Sequence, residues 1–151
     1  MLQEKIGKML PQSIEAEEAV LGALLVNPPS ITRVVETLSP ESFYKPAHKA
    51  LYSAIIDLFN KSEPVDIVTV SEYLRDAEKL EKVGGRAYIN DLAMNIVTTA
   101  NVEHYAKIIS EKGILRELIA AGNEIVSTAF EEGNSDVTLD AAEKRIFSIA
   151  Q

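Results

Sequence analysis

Glu15, Glu17 and Glu18 form the tightest acidic cluster in this 151-residue chain, and paired carboxylates are the simplest apparatus for general acid and base work. The cluster also opens a helical pattern. There, carboxylates oppose the partial positive charge of the helix end, so dipole stabilisation accounts for them without any reaction. His48 and His104 each stand alone, with no second ligand at metal-binding spacing, and read as structural histidines. Lys144 and Arg145 are the one adjacent basic pair, on a helical stretch where they read as a solvated face. The nine aromatic residues are scattered and make no stacking platform interleaved with arginine. No phosphate-binding glycine loop, dinucleotide fingerprint, H-E-x-x-H, G-x-S-x-G or calcium loop occurs. Cysteine is absent, which excludes disulfides, thiolate metal sites and a thiol nucleophile. The residues alone therefore indicate an interaction module with no catalytic centre.

Composition points the same way. Fifteen basic against 23 acidic residues give a formal charge of −8, the wrong sign for a domain that lives on nucleic-acid phosphates or anionic lipid. The longest apolar run, Ala19 to Val26, is far short of the roughly 20 residues that span a bilayer, so a soluble intracellular protein is expected.

An all-α fold follows from the periodicity. All six prolines lie within the first 64 residues, which implies short helices with frequent corners there and longer ones after. Residues 1–12 read as a flexible lead, residues 13–101 as a globular bundle of short helices, and residues 102–151 as a helical hairpin. Ser13 is the expected cap of a helix carrying Ala16, Val20, Leu21, Leu24 and Leu25, stopped by Asn27-Pro28-Pro29. Ser30 to Leu38 predicts a second short helix, and Ser39 to Ser42 a turn pinned by Phe43 and Tyr44. Pro46 begins a third helix ending near Asn60-Lys61. Val65 to Val70 is β-branched enough for a strand but has no partner strand, so Asp66 is read as a cap leading into a helix through Leu74. Gly84-Gly85 breaks the chain before a helix through Ile96, and Thr98 to Asn101 is a polar joint. A helix of roughly 30 residues, about 45 Å long, then runs from Val102 to Glu132. Asp136 is the expected cap of the last helix.

The long helix carries two apolar stripes. Leu115, Ile119, Gly122, Val126 and Ala129 form one, and Ile114, Leu118, Ala121 and Ile125 form another about 100° away. The final helix, with Leu139, Ile146 and Phe147, can cover one of them, which leaves an apolar arc for an interface.

Five stretches carry a family resemblance. Pro11-Gln12-Ser13-Ile14-Glu15-Ala16-Glu17 with Val20-Leu21-Gly22, then Glu41 to Tyr44 with Ala47-His48, then Pro64 to Val70, Gly84 to Tyr88, and Thr99 to Ala106 follow in order from about residue 11 onward. Together they resemble the amino-terminal domain of bacterial replicative DNA helicases of the DnaB type. The resemblance implies a scaffold that pairs through its hairpins, with three pairs forming a collar on a hexameric ring motor. It also implies recruitment of a DnaG-type primase through that enzyme's carboxy-terminal domain, and contact with a helicase loader, at the replication fork in the bacterial cytoplasm. ATP and magnesium belong to the parent's motor domain, whose motifs this chain lacks, so no cofactor and no enzymatic activity are expected here. Tyr88, Ile119 and Ile125 fall where the family's primase-contacting surface is expected, with hairpin core or dimer seam the alternative reading of Ile119 and Ile125. Ile114, Leu115, Leu118, Gly122, Val126, Leu139, Ile146 and Phe147 are assigned to hairpin packing or the dimer seam. A single-stranded DNA guide in the same ring is the alternative role, and the acidic balance disfavours it. A small carboxylate enzyme built on the Glu15 cluster is a remote third.

Overall fold

The computed structural model describes residues 9–96 and 98–151, and every regular element among them is helical. The described residues form two compact units, one of residues Gln12–Glu111 and one of Lys112–Gln151 with residues 9–11. Most of the expected N-terminal lead, residues 1–8, lies outside the described residues.

Helix α1 spans Ile14–Val26, and Ser13 caps it by accepting a hydrogen bond from the Ala16 N–H at 3.2 Å. Val20, Leu21, Ala23 and Leu24 are all fully buried, so α1 is the central helix of its unit. Beyond it the expected α-helix over Ser30–Leu38 is replaced by a 3-10 helix, Pro28–Arg33, followed by turns. The tighter winding is closed by the Ser30 N–H donating to the Asn27 carbonyl at 2.9 Å and the Val34 N–H to the Ile31 carbonyl at 3.1 Å. The apolar spacing that suggested a helix is still satisfied, because Ile31, Val34 and Leu38 all reach the core. Arg33 ties this corner to the polar joint, donating to Glu103 Oε1 at 2.8 Å and to the Ala100 carbonyl at 3.2 Å.

A second 3-10 turn, Pro40–Ser42, is fastened by the Ser39 N–H donating to Ser42 Oγ at 3.1 Å. Phe43 then buries against Tyr52 with ring centroids 5.0 Å apart. Helix α2 covers Pro46–Asn60 with proline in its first turn, as expected. Helix α3 covers Ile67–Asp76. The β-branched run enters it through a reciprocal cap, in which Thr69 N–H donates to Asp66 Oδ1 at 2.8 Å and Asp66 N–H to Thr69 Oγ1 at 2.9 Å. Two satisfied donors outweigh the modest helix penalty of branched side chains. Helix α4 covers Gly85–Met94. Helix α5, Val102–Glu132, opens in the core of the first unit through Val102, Ala106 and Ile109. Helix α6, Ser135–Ala150, is capped by Asn134, which accepts from the Val137 N–H at 3.2 Å. Asp136, expected as the cap, instead lies in the first turn. Gly133 closes the corner at φ +73° and Asn134 is extended, so the capping position falls two residues earlier.

Gly22 sets the approach of α1 to α4. A Cβ there would stand 2.3 Å from the Leu92 carbonyl oxygen, a backbone atom that cannot rotate away. Alanine gains about 1 kcal/mol of helix propensity, and prising two helices apart costs about 1–3 kcal/mol. Gly22→Ala is therefore expected to lower stability by up to about 2 kcal/mol net, read as a lower urea midpoint.

Candidate functional site

Three titratable side chains meet inside the first unit. Glu17 of α1 and His48 of α2 are 1% and 0% exposed, and His48 Nδ1 lies 2.7 Å from Glu17 Oε1. The other ring nitrogen, Nε2, lies 2.7 Å from the Tyr88 hydroxyl of α4. Glu17 also accepts the Tyr44 N–H at 2.7 Å and the Lys45 N–H at 3.4 Å, the two backbone donors that lead into α2. Nδ1–H donates to the carboxylate, and Nε2 shares a hydrogen bond with the Tyr88 hydroxyl. The same hydroxyl reaches Glu18 Oε2 at 3.5 Å, a longer contact than the one to His48. Lys45 Nζ lies 4.7 Å over the Tyr88 ring.

This chain of groups has the order of a catalytic triad, but its inner two members are sealed from solvent. No substrate atom can reach His48, so the arrangement fixes a side chain and does no chemistry on a ligand. What it fixes is Tyr88. Gly84, at φ +105°, makes the turn in front of it, and a Cβ at Gly84 would sit 2.8 Å from Tyr88 Cβ.

Sequence reasoning gave Glu17 to the helix dipole and left His48 as an isolated structural residue. The missed signal lies in the periodicity. Glu17 stands three, four and seven residues before Val20, Leu21 and Leu24, and His48 stands likewise before Leu51, Tyr52 and Ile55. Each ionisable residue thus occupies a place on the buried stripe of its own helix. Two such residues are unlikely neighbours of a core unless they satisfy each other.

Two phenols are held protonated. Burial pushes the Tyr52 hydroxyl, which donates to the Leu38 carbonyl at 3.0 Å, up to about 12. Burial also raises Tyr88 to about 12, with the charge and hydrogen bond of Glu18 and the charge of Glu17 adding to it. The folded state holds both protons more tightly than the unfolded chain, where a phenol titrates near 10. Their contribution to stability is therefore intact below pH 10 and is lost as pH rises through about 12. In an alkaline absorbance titration, Tyr88→Phe and Tyr52→Phe should each delete one late-ionising tyrosine. Loss of an early one in either variant contradicts the assignment.

Tyr88 also lines a groove of about 670 Å³ walled by α1, α4 and the first turns of α5. Leu92, Ile96 and Ile108 supply apolar surface, and Glu15, Glu18 and Asp91 supply carboxylates. No group of three or more metal-ligating side chains is present among the described residues.

The second unit presents a different surface. Arg145 of α6 donates to Glu124 of α5 at 2.9 Å, and the same face of α6 carries half-buried Thr138, Ala142 and Ile149. On α5, Ala121 is fully buried and Ile125 and Thr128 half-buried, so the intrachain seam draws on the end of the second stripe. The rest is open. Ile114, Leu115, Leu118, Val126 and Ile146 are all more than one-third exposed, while Leu139, Phe147 and Phe130 are 60%, 64% and 87% exposed. Ile119 is half-buried in this unit, whereas Tyr88 belongs to the other. Nothing lies within 4 Å of the Cβ position of Gly122. Gly122→Ala should therefore stabilise α5 by about 0.5–1 kcal/mol, seen as a higher urea midpoint in dilute protein.

Comparison with known proteins agrees with this architecture. Residues 9–111 match the family model described as the DnaB-like helicase N terminal domain. The chain is 43% identical to the replicative DNA helicase DnaB of Geobacillus stearothermophilus over 142 residues, covering 93% of this chain and 31% of that protein. It is also 43% identical to the replicative DNA helicase DnaC of Bacillus subtilis (strain 168), covering 95% of this chain and 32% of the relative. The chain thus spans about a third of the length of these relatives. Its fold superposes on the crystal structure of the N-terminal domain of DnaB helicase from Mycobacterium tuberculosis with a TM-score of 0.89 at 38% identity, covering 93% of this chain and 99% of that one. A DnaB-like replicative helicase, described together with its interactions with primase, matches with a TM-score of 0.74 at 27% identity, over 91% of this chain and 31% of that one. No helix among the described residues is long and apolar enough to cross a membrane. With the helical fold, the order of its motifs and the family match in agreement, this chain belongs to the DnaB-like helicase N-terminal domain family.

Proposed function

We propose that this chain is a non-catalytic assembly and recruitment domain of a replicative DNA helicase. Its hairpin pairs with the hairpin of a second copy, three pairs form the collar of a hexameric ring, and the collar receives primase where duplex DNA is opened in the bacterial cytoplasm. The observation that carries this reading is the apolar arc of α5 and α6, from Ile114 and Leu118 to Leu139 and Phe147, which the single chain leaves exposed. Large apolar side chains left exposed along both helices of a charged hairpin support an interface reading, and two-fold pairing lets such a surface cover itself. Gly122, open on the same helix, permits close approach of a second backbone.

The primase reading draws on the solved relative described with its primase interactions. Tyr88, Ile119 and Ile125 are the proposed contacts, with Tyr88 the best prepared because His48 fixes its hydroxyl. A helicase loader is a further proposed partner of the collar. ATP hydrolysis and magnesium binding are assigned to the remainder of the full-length helicase, since this sequence has no phosphate-binding loop. The net charge of −8 works against a DNA-guiding role.

Size-exclusion chromatography with light scattering over a concentration series, with and without the cognate primase's carboxy-terminal domain, tests the proposal. Concentration-dependent dimers or hexamers that co-elute with the primase domain are expected. A monomer at every concentration that ignores the primase domain would overturn it.

A further inference from the structure

Another cavity, of about 380 Å³, opens within the first unit, and its charge runs against that of the chain. The sequence has 23 acidic and 15 basic residues, yet three lysines and one glutamate line this space. The lysines come from separate segments. Lys49 stands on α2, Lys79 in the turn after α3, and Lys82 in a 3-10 turn, Glu81–Val83. The backbone that carries the last two is fixed. The Lys79 N–H donates to the Leu74 carbonyl at 2.8 Å and the Gly85 N–H to the Leu80 carbonyl at 2.9 Å, while buried Leu80 and Val83 pin the turn to the core. Glu78 enters this turn at φ +58°, a left-handed conformation that costs a non-glycine residue free energy and that these bonds maintain. The one anion of the cavity, Glu41, reaches Lys49 Nζ at 3.4 Å in an exposed pair that contributes little and opens readily. Three ammonium groups held around one space repel one another, and an anion placed among them relieves that repulsion.

We propose that this cavity binds a small molecule bearing two or more phosphates. Lysine ammonium groups meet phosphate oxygens as point charges, and the Ser53 hydroxyl on the same wall offers a further donor. Pro46, Ala50 and Val83 supply apolar surface on which a ring or chain attached to the phosphates lies. The volume falls within the range of small-ligand pockets. The surrounding charge selects a compact ligand over a strand of nucleic acid. Glu78 and Glu81 adjoin the two lysines in sequence, and the whole chain carries −8. The field of the lysines is screened within about 8 Å at physiological salt, so a compact anion stays inside it, whereas a strand runs on into the field of the carboxylates.

The test uses the whole 151-residue chain, with inorganic pyrophosphate and ADP as probes and adenosine as the uncharged control. Pyrophosphate should move the amide NMR shifts of Lys49, Ser53, Lys79, Lys82 and Val83, with binding that weakens as salt is added. Tighter binding of ADP would place its ring on the apolar wall, and equal binding would assign the site to phosphates alone. Lys49→Gln, Lys79→Gln, Lys82→Gln together should weaken binding about tenfold, and Glu41→Gln should tighten it about twofold. Lys61→Gln, Lys107→Gln, Lys144→Gln, which removes as much positive charge elsewhere, should leave it unchanged. The inference is overturned if pyrophosphate moves none of these amides, if it moves those of all exposed lysines alike, if adenosine binds as well as ADP, if the cavity variant binds as the parent does, or if a single-stranded oligonucleotide binds the same residues more tightly. The wild-type shift map stands even if a variant folds poorly.

Discussion

Glu17→Ala should lower the free energy of unfolding by about 3–5 kcal/mol, the cost of leaving three buried donors without their acceptor. The carboxylate is the hydrogen-bond partner of His48 Nδ1 and of the Tyr44 and Lys45 N–H groups. Removing it strands all three donors in a place that water does not enter, and each orphaned buried donor is expensive. Glu15→Ala, two residues earlier on an exposed face of α1, loses only a dipole contact and should cost about 0.3–1 kcal/mol. Glu17→Gln should fall between, at about 1–3 kcal/mol, because the amide keeps one acceptor but turns an NH₂ toward existing donors. Urea unfolding of the four proteins measures the differences through their midpoints at unchanged slope. A double-mutant cycle between Glu17→Gln and His48→Gln should return a coupling of about 0.5–3 kcal/mol. Equal costs for Glu17→Ala and Glu15→Ala would show that the buried network contributes nothing.

Self-association should be lost when charge is placed on the open arc of the hairpin. Leu118 and Phe147 are more than one-third exposed in the single chain, so Leu118→Glu and Phe147→Glu should leave monomer stability within about 0.5 kcal/mol of the parent. Pairing is another matter. A two-fold interface counts each substitution twice, and a carboxylate without a partner in an apolar seam costs roughly 2 kcal/mol per copy. The pair constant for either variant should therefore weaken about a thousandfold. Sedimentation equilibrium reads this directly. Lys144→Ala, which removes an exposed ion pair with Asp140, should not alter the association. If both glutamate variants associate like the parent, the arc is not the pairing surface and the assembly reading loses its support.

The helices themselves were legible residue by residue. Ser13 and Asp66 announced helix starts as caps and Pro46 as a first helical residue, and the structure uses each in that place. The misreadings were local as well. The helix over Ser30–Leu38 failed because periodicity does not separate an α-helix from a 3-10 turn followed by bends. The last cap moved from Asp136 to Asn134 because side-chain type alone does not say which backbone is extended.

The sequence by itself determined the helical class, the acidic balance and the excess of apolar residues on the last two helices. All of these depend on residues within a turn or two of one another, where spacing is the physical cause. Only the tertiary structure decided that Glu17 meets His48 across 31 residues and that His48 meets Tyr88 across 40. It also decided that Gly22 must be bare against the Leu92 carbonyl, and that Glu15, Glu18 and Asp91 line one groove. Those outcomes depend on how α1, α2, α4 and α5 pack in three dimensions, because a contact between distant residues is set by the packing of whole helices and leaves no period in the chain.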